Sequence, residues 1–168
     1  MSEKITIPLD LVAIKGPLKT ENLGIEKIVA NIISNPNIRY LILYGREIRG
    51  HKSGATLLAL WKYGIDKNNR IINAPGAVPY IENLSEEAIE RFRRQIKIID
   101  MLESTDQRKL LYKIEELYKT GAEPFGDPYI AIKIENSRKT NLNLQGSLGL
   151  HKTIIVDAYG DIKPLETN

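Results

Sequence analysis

The sequence predicts an α/β fold with a mostly parallel sheet that is covered by helices on both faces. Short apolar runs, typical of buried strands, alternate with longer segments whose apolar residues recur at helical spacing. The connections between these segments are short, and parallel neighbouring strands require a right-handed helical crossover. The 168 residues are close to the size of one domain.

The first strand and the first helix are predicted near the N-terminus. Residues 9–14 are apolar almost without interruption, and Gly16-Pro17 follows them, which predicts a strand that is buried on both faces. Asn22 is placed to cap a helix of helically spaced apolar residues, and Asn35-Pro36 ends that helix.

The next elements follow the same alternation. Residues 40–43 form the second predicted strand, Ser53 is expected to cap the following helix, and Gly64 is expected to stop it. Residues 71–72 are a short third strand. Ser85 then opens a helix, and a last helix lies between residues 106 and 121. Residues 95–101 are either the end of the helix that Ser85 opens or a fourth strand, and we favour the strand. This order predicts a Rossmann-like core.

The pattern changes after residue 126. Apolar and polar residues alternate in residues 130–134 and 141–145, which predicts a half-exposed hairpin that turns at residues 136–139. Residues 153–156 supply one more strand. We therefore expect a Rossmann-like core in residues 1–125 and a C-terminal β extension of the same domain in residues 126–168.

Composition excludes several classes of protein. The chain has no cysteine, so disulfides, zinc–thiolate sites and thiol nucleophiles are all excluded. A net charge of +3 does not indicate a nucleic-acid partner. No apolar run approaches the roughly 20 residues of a membrane span, and the N-terminus lacks a secretory signal, so a cytoplasmic protein without a direct membrane span is expected.

His51 is the leading candidate for a functional residue. It is one of two histidines and lies in a glycine-rich loop, residues 44–54, directly after a predicted strand. Open α/β sheets bind ligands beyond the carboxyl ends of their strands, where we expect this loop to form a cleft with residues 15–23 and 73–83. The alternative interpretation is a polar loop histidine without a ligand.

Other catalytic motifs are weak. The loop containing Lys19 and Thr20 is slightly similar to a phosphate loop, but Leu18 stands where that pattern needs a glycine. Thr20 and Asn22 are expected to cap a helix, although a helix N-terminus is also an anion site. The sequence has no serine nucleophile elbow, no metalloprotease histidine pair and no dinucleotide fingerprint.

Four separate blocks of sequence resemble the A subunit of tetrahydromethanopterin S-methyltransferase. The blocks are TENLGIEKIVAN at residues 20–31, NPNIRYLIL at residues 35–43, Gly50-His51, and GAVPYIEN at residues 76–83. Their agreement in order and spacing, between about residues 16 and 100, is more specific than any single motif. The resemblance implies a cobalamin-binding methyl carrier that accepts a methyl group on cobalt from methyl-tetrahydromethanopterin or a similar donor. The acceptor is then a thiol such as coenzyme M. Partner methyltransferase subunits are also implied, because no residue of this chain is expected to activate the donor or the thiol.

The resemblance also implies a site. His51 corresponds to the family's cobalt-ligating histidine, so it is expected to be the lower axial ligand. Its other ring nitrogen needs an acceptor. Arg49 stands where the Asp-x-His-x-x-Gly signature of other corrinoid proteins has its aspartate, so Glu21, Glu47 and Glu82 are the alternatives. Residues expected to bind the cofactor are Thr20, Asn22, Gly45, Glu47, Gly50, His51, Gly54, Pro75, Gly76, Ala77, Pro79 and Tyr80.

The chain departs from the family at its C-terminus. The membrane-bound family member ends in a transmembrane helix, whereas residues 161–168 have no spanning character, so a soluble homologue or a truncated form is expected. The region after Gly121 lies outside the resemblance. A non-catalytic relative that acts as a partner-binding or regulatory subunit is therefore the second hypothesis, and a nucleotide-binding enzyme is the third.

Overall fold

The computed structural model describes residues 7, 8 and 10–131 and the backbone of residues 154–156 and 162–164. Its chain contacts form two compact units, Met1–Lys133 and Ile134–Asn168. The elements in chain order are α1 (Leu23–Ile33), β1 (Tyr40–Gly45), α2 (Ser53–Tyr63), α3 (Glu86–Gln95), β2 (Lys97–Leu102), α4 (Gln107–Tyr118), β3 (Ile154–Val156) and β4 (Ile162–Pro164).

The sheet of the first unit is a parallel pair. β1 and β2 run in the same direction, with Leu43 opposite Asp100, and α2 and α3 lie between them in the chain. A parallel pair requires such a crossover, so the α/β class is confirmed, as are the predicted strand at residues 40–43 and the fourth predicted strand. The latter begins at Lys97, since Gln95 is still part of α3.

The core of this unit lies where the first three helices meet the sheet. α1 packs on α3, and α2 packs on both α3 and β2. The helical spacing of apolar residues places one side of each helix in this core. Side chains that are fully or almost fully buried there are Ile25, Val29, Ile32, Ile33, Leu57, Leu60, Ile71, Ile81, Ile89 and Phe92.

The prediction of a first strand at residues 9–14 is wrong for the described residues 10–14, which form turns and bends. The amide of Leu11 donates to the carbonyl of Pro8 at 3.3 Å, so the chain closes a local turn there. Pro8 and Asp10 favour such a turn, and the side chain of Ile14 is half exposed. An apolar run without a pairing partner is therefore not sufficient for a strand.

The predicted third strand at residues 71–72 is also wrong as a strand of the parallel sheet. Ile71 and Arg70 form only isolated antiparallel bridges, to Ile65 and Tyr80 respectively. Asn73 adopts a positive φ of 58°, which turns the chain immediately after these residues. Ile71 is nevertheless buried in the core, which explains its apolar character.

A segment that follows α4 packs back onto the rest of the first unit. Phe125 and Tyr129 donate backbone hydrogen bonds to the carbonyls of Pro36 and Ile33, at 3.0 and 2.9 Å. Arg91 donates to the carbonyls of Phe125 and Asp127, at 2.6 and 2.7 Å, and its guanidinium lies 4.9 Å from the centre of the Phe125 ring. We call residues 123–131 the return segment.

The described residues of the second unit form an antiparallel strand pair. Ile155 of β3 lies opposite Lys163 of β4, so the predicted strand at residues 153–156 is confirmed as part of a C-terminal β extension. The predicted hairpin that turns at residues 136–139 lies outside the described residues. Within the described part of the chain, no helix combines the length and the apolar character that crossing a bilayer requires.

Candidate functional site

His51 lies in the loop between β1 and α2. Gly45 and Gly50 have φ values of 102° and 92°, which glycine adopts without a steric penalty, and Lys52 has a φ of 43°. The amides of His51 and Lys52 both donate to the carbonyl of Ile48 at 3.1 Å. This tight turn presents the His51 side chain to solvent, with 55% of it exposed.

The partner of the His51 ring is Glu21. Nδ1 of His51 lies 3.0 Å from Oε2 of Glu21, although the two residues are thirty positions apart. The Glu21 side chain is only 5% exposed. Its other oxygen, Oε1, accepts a hydrogen bond from the amide of Val78 at 3.2 Å. One buried carboxylate therefore joins the three loops that the sequence predicted to converge.

The protonation state of Glu21 determines what the imidazole offers. Burial by itself would raise the pKa of Glu21. Hydrogen bonds from its own amide, the Val78 amide and the His51 ring, together with the charge of His51, hold that pKa below its ordinary value of 4.5. At neutral pH the Glu21 carboxylate is ionised and can only accept, so Nδ1 of His51 carries the proton of this hydrogen bond. In the neutral form of the imidazole, Nε2 then keeps its lone pair.

Gly76 holds residues 73–83, which we call the third loop, against residues 44–54, which we call the histidine loop. Its amide donates to the hydroxyl of Thr56 at 3.1 Å. A β-carbon at Gly76 would lie 2.8 Å from the carbonyl oxygen of His51 and 3.0 Å from Cγ of Glu21. Only glycine permits this approach, so the packing of the two loops requires Gly76. Its role in binding the cofactor stays a prediction.

Glu26 also positions the third loop, and sequence reasoning missed it. This buried carboxylate accepts hydrogen bonds from the amides of Glu82 and Asn83 at 2.5 and 2.9 Å, and from the Asn83 side chain at 2.7 Å. Glu26 is spaced three and seven residues before Val29 and Ile33, on the buried side of α1. A carboxylate at a core position of a helix was the signal that could have revealed it.

The other two carboxylates considered for His51 have different positions. Oε1 of Glu47 accepts from the amide of Ala55 at 2.7 Å and so caps α2. The side chain of Glu82 is exposed, and its amide is held by Glu26. Ser53 does not cap α2, contrary to prediction: Lys52 is the N-cap residue and makes no side-chain cap, because Glu47 takes that role from the preceding loop.

The remaining predicted residues differ in their surroundings. The hydroxyl of Thr20 accepts from the amide of Gly24 at 2.8 Å, and Asn22 caps α1 through the amide of Leu23. Beside Gly45 and Gly50 there is open space, whereas Glu47 and Leu102 fill the space beside Gly54. Pro75 and Ala77 are exposed and Pro79 is buried.

The guanidinium of Arg70 lies 5.6 Å from the centre of the Tyr80 ring. Among the residues that the structure describes, no three His, Cys, Asp or Glu side chains lie together in a group able to hold a metal ion.

Comparisons with known proteins give the family. The profile of the MtrA family, the A subunit of tetrahydromethanopterin S-methyltransferase, matches residues 3–142. The chain is 54% identical over 105 residues to tetrahydromethanopterin S-methyltransferase A subunit 2 of Methanothermobacter thermautotrophicus, covering 62% of this chain and 57% of the relative. It is 48% identical over 124 residues to A subunit 1 of the same organism, covering 73% of this chain and 52% of the relative.

A third relative is the A subunit of the Methanocaldococcus jannaschii enzyme, which is 49% identical over 128 residues, covering 75% of this chain and 53% of the relative. The chain thus spans about half the length of the curated relatives it matches. The matched range includes Glu21, His51 and Gly76, so the three loops of the site all lie within the profile. The chain belongs to the family of tetrahydromethanopterin S-methyltransferase A subunits.

Proposed function

We propose that this chain binds a corrinoid such as cobalamin and carries a methyl group on its cobalt, with His51 as the lower axial ligand. The observation that carries this proposal is the pairing of an exposed imidazole with a buried carboxylate. Metal-bound histidines typically donate their second ring N–H to a carboxylate, which fixes the tautomer and raises the basicity of the ligating nitrogen.

The residues around His51 fit such a group. Glu21 holds the proton at Nδ1, so the lone pair of Nε2 is the one available to a metal. Each of the three loops carries a large apolar side chain that is about half exposed: Leu23, Ile48 and Val78. Covering such side chains with the face of a large ring removes apolar surface from water and favours binding. The open space beside Gly45 and Gly50 leaves room for this approach.

Two carboxylates, Glu21 just before α1 and Glu26 within it, hold the loops of the site in place. Glu21 orients the imidazole and Glu26 anchors residues 82 and 83, so the third loop is tied at two points along its length. When bound, a corrinoid cobalt supplies the centre that accepts a methyl group and passes it on. The protein residues bind the cofactor, orient the ligand and hold the Nδ1 proton.

The substrates and partners in this proposal follow from the family. The relatives are named tetrahydromethanopterin S-methyltransferase A subunits, which supports our proposal of a methyl-pterin as donor and a thiol such as coenzyme M as acceptor. Being one subunit of such an enzyme, the chain would meet both substrates in the active sites of partner subunits. On this proposal it does not turn over alone.

The test is the visible spectrum of the protein after incubation with hydroxocobalamin and desalting. Wild type, His51→Ala and His151→Ala are compared, the last being the chain's other histidine and thus a matched control. We expect wild type and His151→Ala to retain the corrinoid with the same spectrum, and His51→Ala to shift that spectrum or lose the corrinoid. Retention with identical spectra in all three would reject His51 as the ligand, and no retention by wild type would reject the function.

A further inference from the structure

The hydroxyl of Ser53 has no hydrogen-bond partner. Within the described part of the chain, it is the only buried side-chain polar atom in this situation, and Ser53 is only 4% exposed. Buried hydroxyls are almost always hydrogen-bonded, because leaving one unsatisfied lowers the stability of the folded state. The Ser53 hydroxyl therefore contributes no hydrogen bond to the stability of the folded state.

Ser53 lies at the start of α2, two residues after His51. The first four amides of a helix lack intrahelical acceptors. Here the amide of Lys52, the N-cap residue, donates to the carbonyl of Ile48 at 3.1 Å, and the amide of Ala55 donates to Oε1 of Glu47 at 2.7 Å. The amides of Ser53 and Gly54 are the other two. The unpartnered hydroxyl thus stands beside two leading amides at the positive end of an eleven-residue helix.

The charge at this end of α2 limits the chemistry of a ligand group. Oε1 of Glu47 already lies against Gly54, only 2.6 Å from where a β-carbon would stand. A second anion, such as a phosphate, would be repelled by that carboxylate. A neutral oxygen acceptor is compatible with it, and the carbonyl of a carboxamide accepts well from a serine hydroxyl.

We infer that the Ser53 hydroxyl hydrogen-bonds a carboxamide side chain at the edge of the bound corrinoid, an inference that rests on the proposed function. The exposed segment 50–52 directly precedes Ser53 in the chain. Lys52 in this segment adopts a left-handed conformation that costs energy for a residue with a side chain. Because the hydroxyl is buried in this structure, its contact with the carboxamide requires a local shift at the start of α2 as the cofactor binds, and such a shift also relieves the strain at Lys52.

The experiment compares wild type, Ser53→Ala and Ser85→Ala. Ser85 is the matched control because its hydroxyl does have a partner: it caps α3 by accepting from the amide of Ala88 at 3.2 Å. Each protein is titrated with hydroxocobalamin and followed by visible absorption. Thermal unfolding of each protein without cofactor is measured in parallel.

We expect opposite effects in the two variants. Ser53→Ala should raise the dissociation constant about fivefold, as the loss of one hydrogen bond would. Its cofactor-free unfolding temperature should be unchanged or higher, and the spectrum of its bound corrinoid should equal that of wild type. Ser85→Ala should unfold at a lower temperature and bind as wild type does.

Several results would overturn the inference. A wild-type dissociation constant in Ser53→Ala rejects it and leaves the proposed function intact. A lowered unfolding temperature of cofactor-free Ser53→Ala would mean that the hydroxyl has a partner within the protein. An altered spectrum in this variant would mean that Ser53 acts through His51. Wild type that binds no hydroxocobalamin would reject both the inference and the proposed function.

Discussion

Gly76 lies so close to His51 that a β-carbon at position 76 would stand 2.8 Å from the His51 carbonyl oxygen. Real β-carbons do not approach backbone atoms at that distance, and a carbonyl in a tight turn cannot move as freely as a side chain. The third loop and the histidine loop can therefore pack this closely only with glycine at position 76.

Gly76→Ala should consequently displace the histidine loop. We expect the free energy of unfolding to fall by about 1–3 kcal/mol, the usual cost of overpacking. We also expect corrinoid retention to weaken, because the His51 ring moves away from Glu21. Chemical denaturation and hydroxocobalamin titration measure the two effects. Gly16→Ala is the control, since nothing lies within 4 Å of a β-carbon there; equal effects of the two substitutions would contradict this account.

Glu21→Gln should change how stability depends on pH. The folded-state pKa of Glu21 is lowered, so its ionised form stabilises the fold at pH values above the ordinary 4.5, and this contribution is lost as the pH falls through the lower folded-state value. We expect Glu21→Gln to be less stable than wild type by about 1–2 kcal/mol at neutral pH.

This difference should stay constant down to about pH 4.5 and shrink below it. Urea denaturation at a series of pH values measures the difference. A gap between the two proteins that persists unchanged at acid pH would show that the loss comes from packing rather than from the charge of Glu21.

Glu26→Ala should loosen the third loop. The substitution leaves the amides of Glu82 and Asn83 and the Asn83 side chain without their acceptor, so a loss of about 3 kcal/mol is expected. Hydrogen exchange at residues 82 and 83 should accelerate more than exchange in α4. Glu82→Ala removes an exposed carboxylate instead and should change stability by less than about 0.5 kcal/mol.

Arg91→Ala should release the return segment. Arg91 donates to two carbonyls of that segment and to Oε1 of Gln95 at 3.0 Å. The substitution therefore removes hydrogen bonds to the return segment and one hydrogen bond within α3. We expect about 2 kcal/mol of destabilisation and faster hydrogen exchange at the amides of Phe125 and Tyr129. Arg94→Ala, at a position of the same helix outside these contacts, is the control. Slow exchange at both amides in Arg91→Ala would show that the backbone contacts to Pro36 and Ile33 suffice.

Local signals in the sequence were enough to predict helices α1–α4 and the two strands of the parallel pair, β1 and β2. Asn22, Ser85 and Gly64 mark helix ends because caps act within a few residues along the chain. Hydrophobic periodicity is equally local, and it predicted β1 and β2. The same reasoning selected His51 from its glycine-flanked loop after a strand.

What lies outside the reach of local signals was decided by the tertiary structure. Residues 10–14 and 71–72 are apolar like strands, but a strand also requires a neighbouring backbone to pair with over several residues. Among the described residues, none pairs with them in this way. The sequence offered three carboxylates for His51 without ranking them. Glu21 is the partner because packing of α1 brings a residue thirty positions away to within 3.0 Å of the ring.

The chain by itself therefore determined the α/β class, the helix ends and the candidate histidine, since these depend on contacts between residues close in sequence. The tertiary structure alone decided which carboxylate orients His51. It also decided that Glu26 holds the third loop, that Arg91 holds the return segment, and that the hydroxyl of Ser53 has no partner. Those features depend on pairs separated by many residues. Neither periodicity nor capping carries information about such pairs.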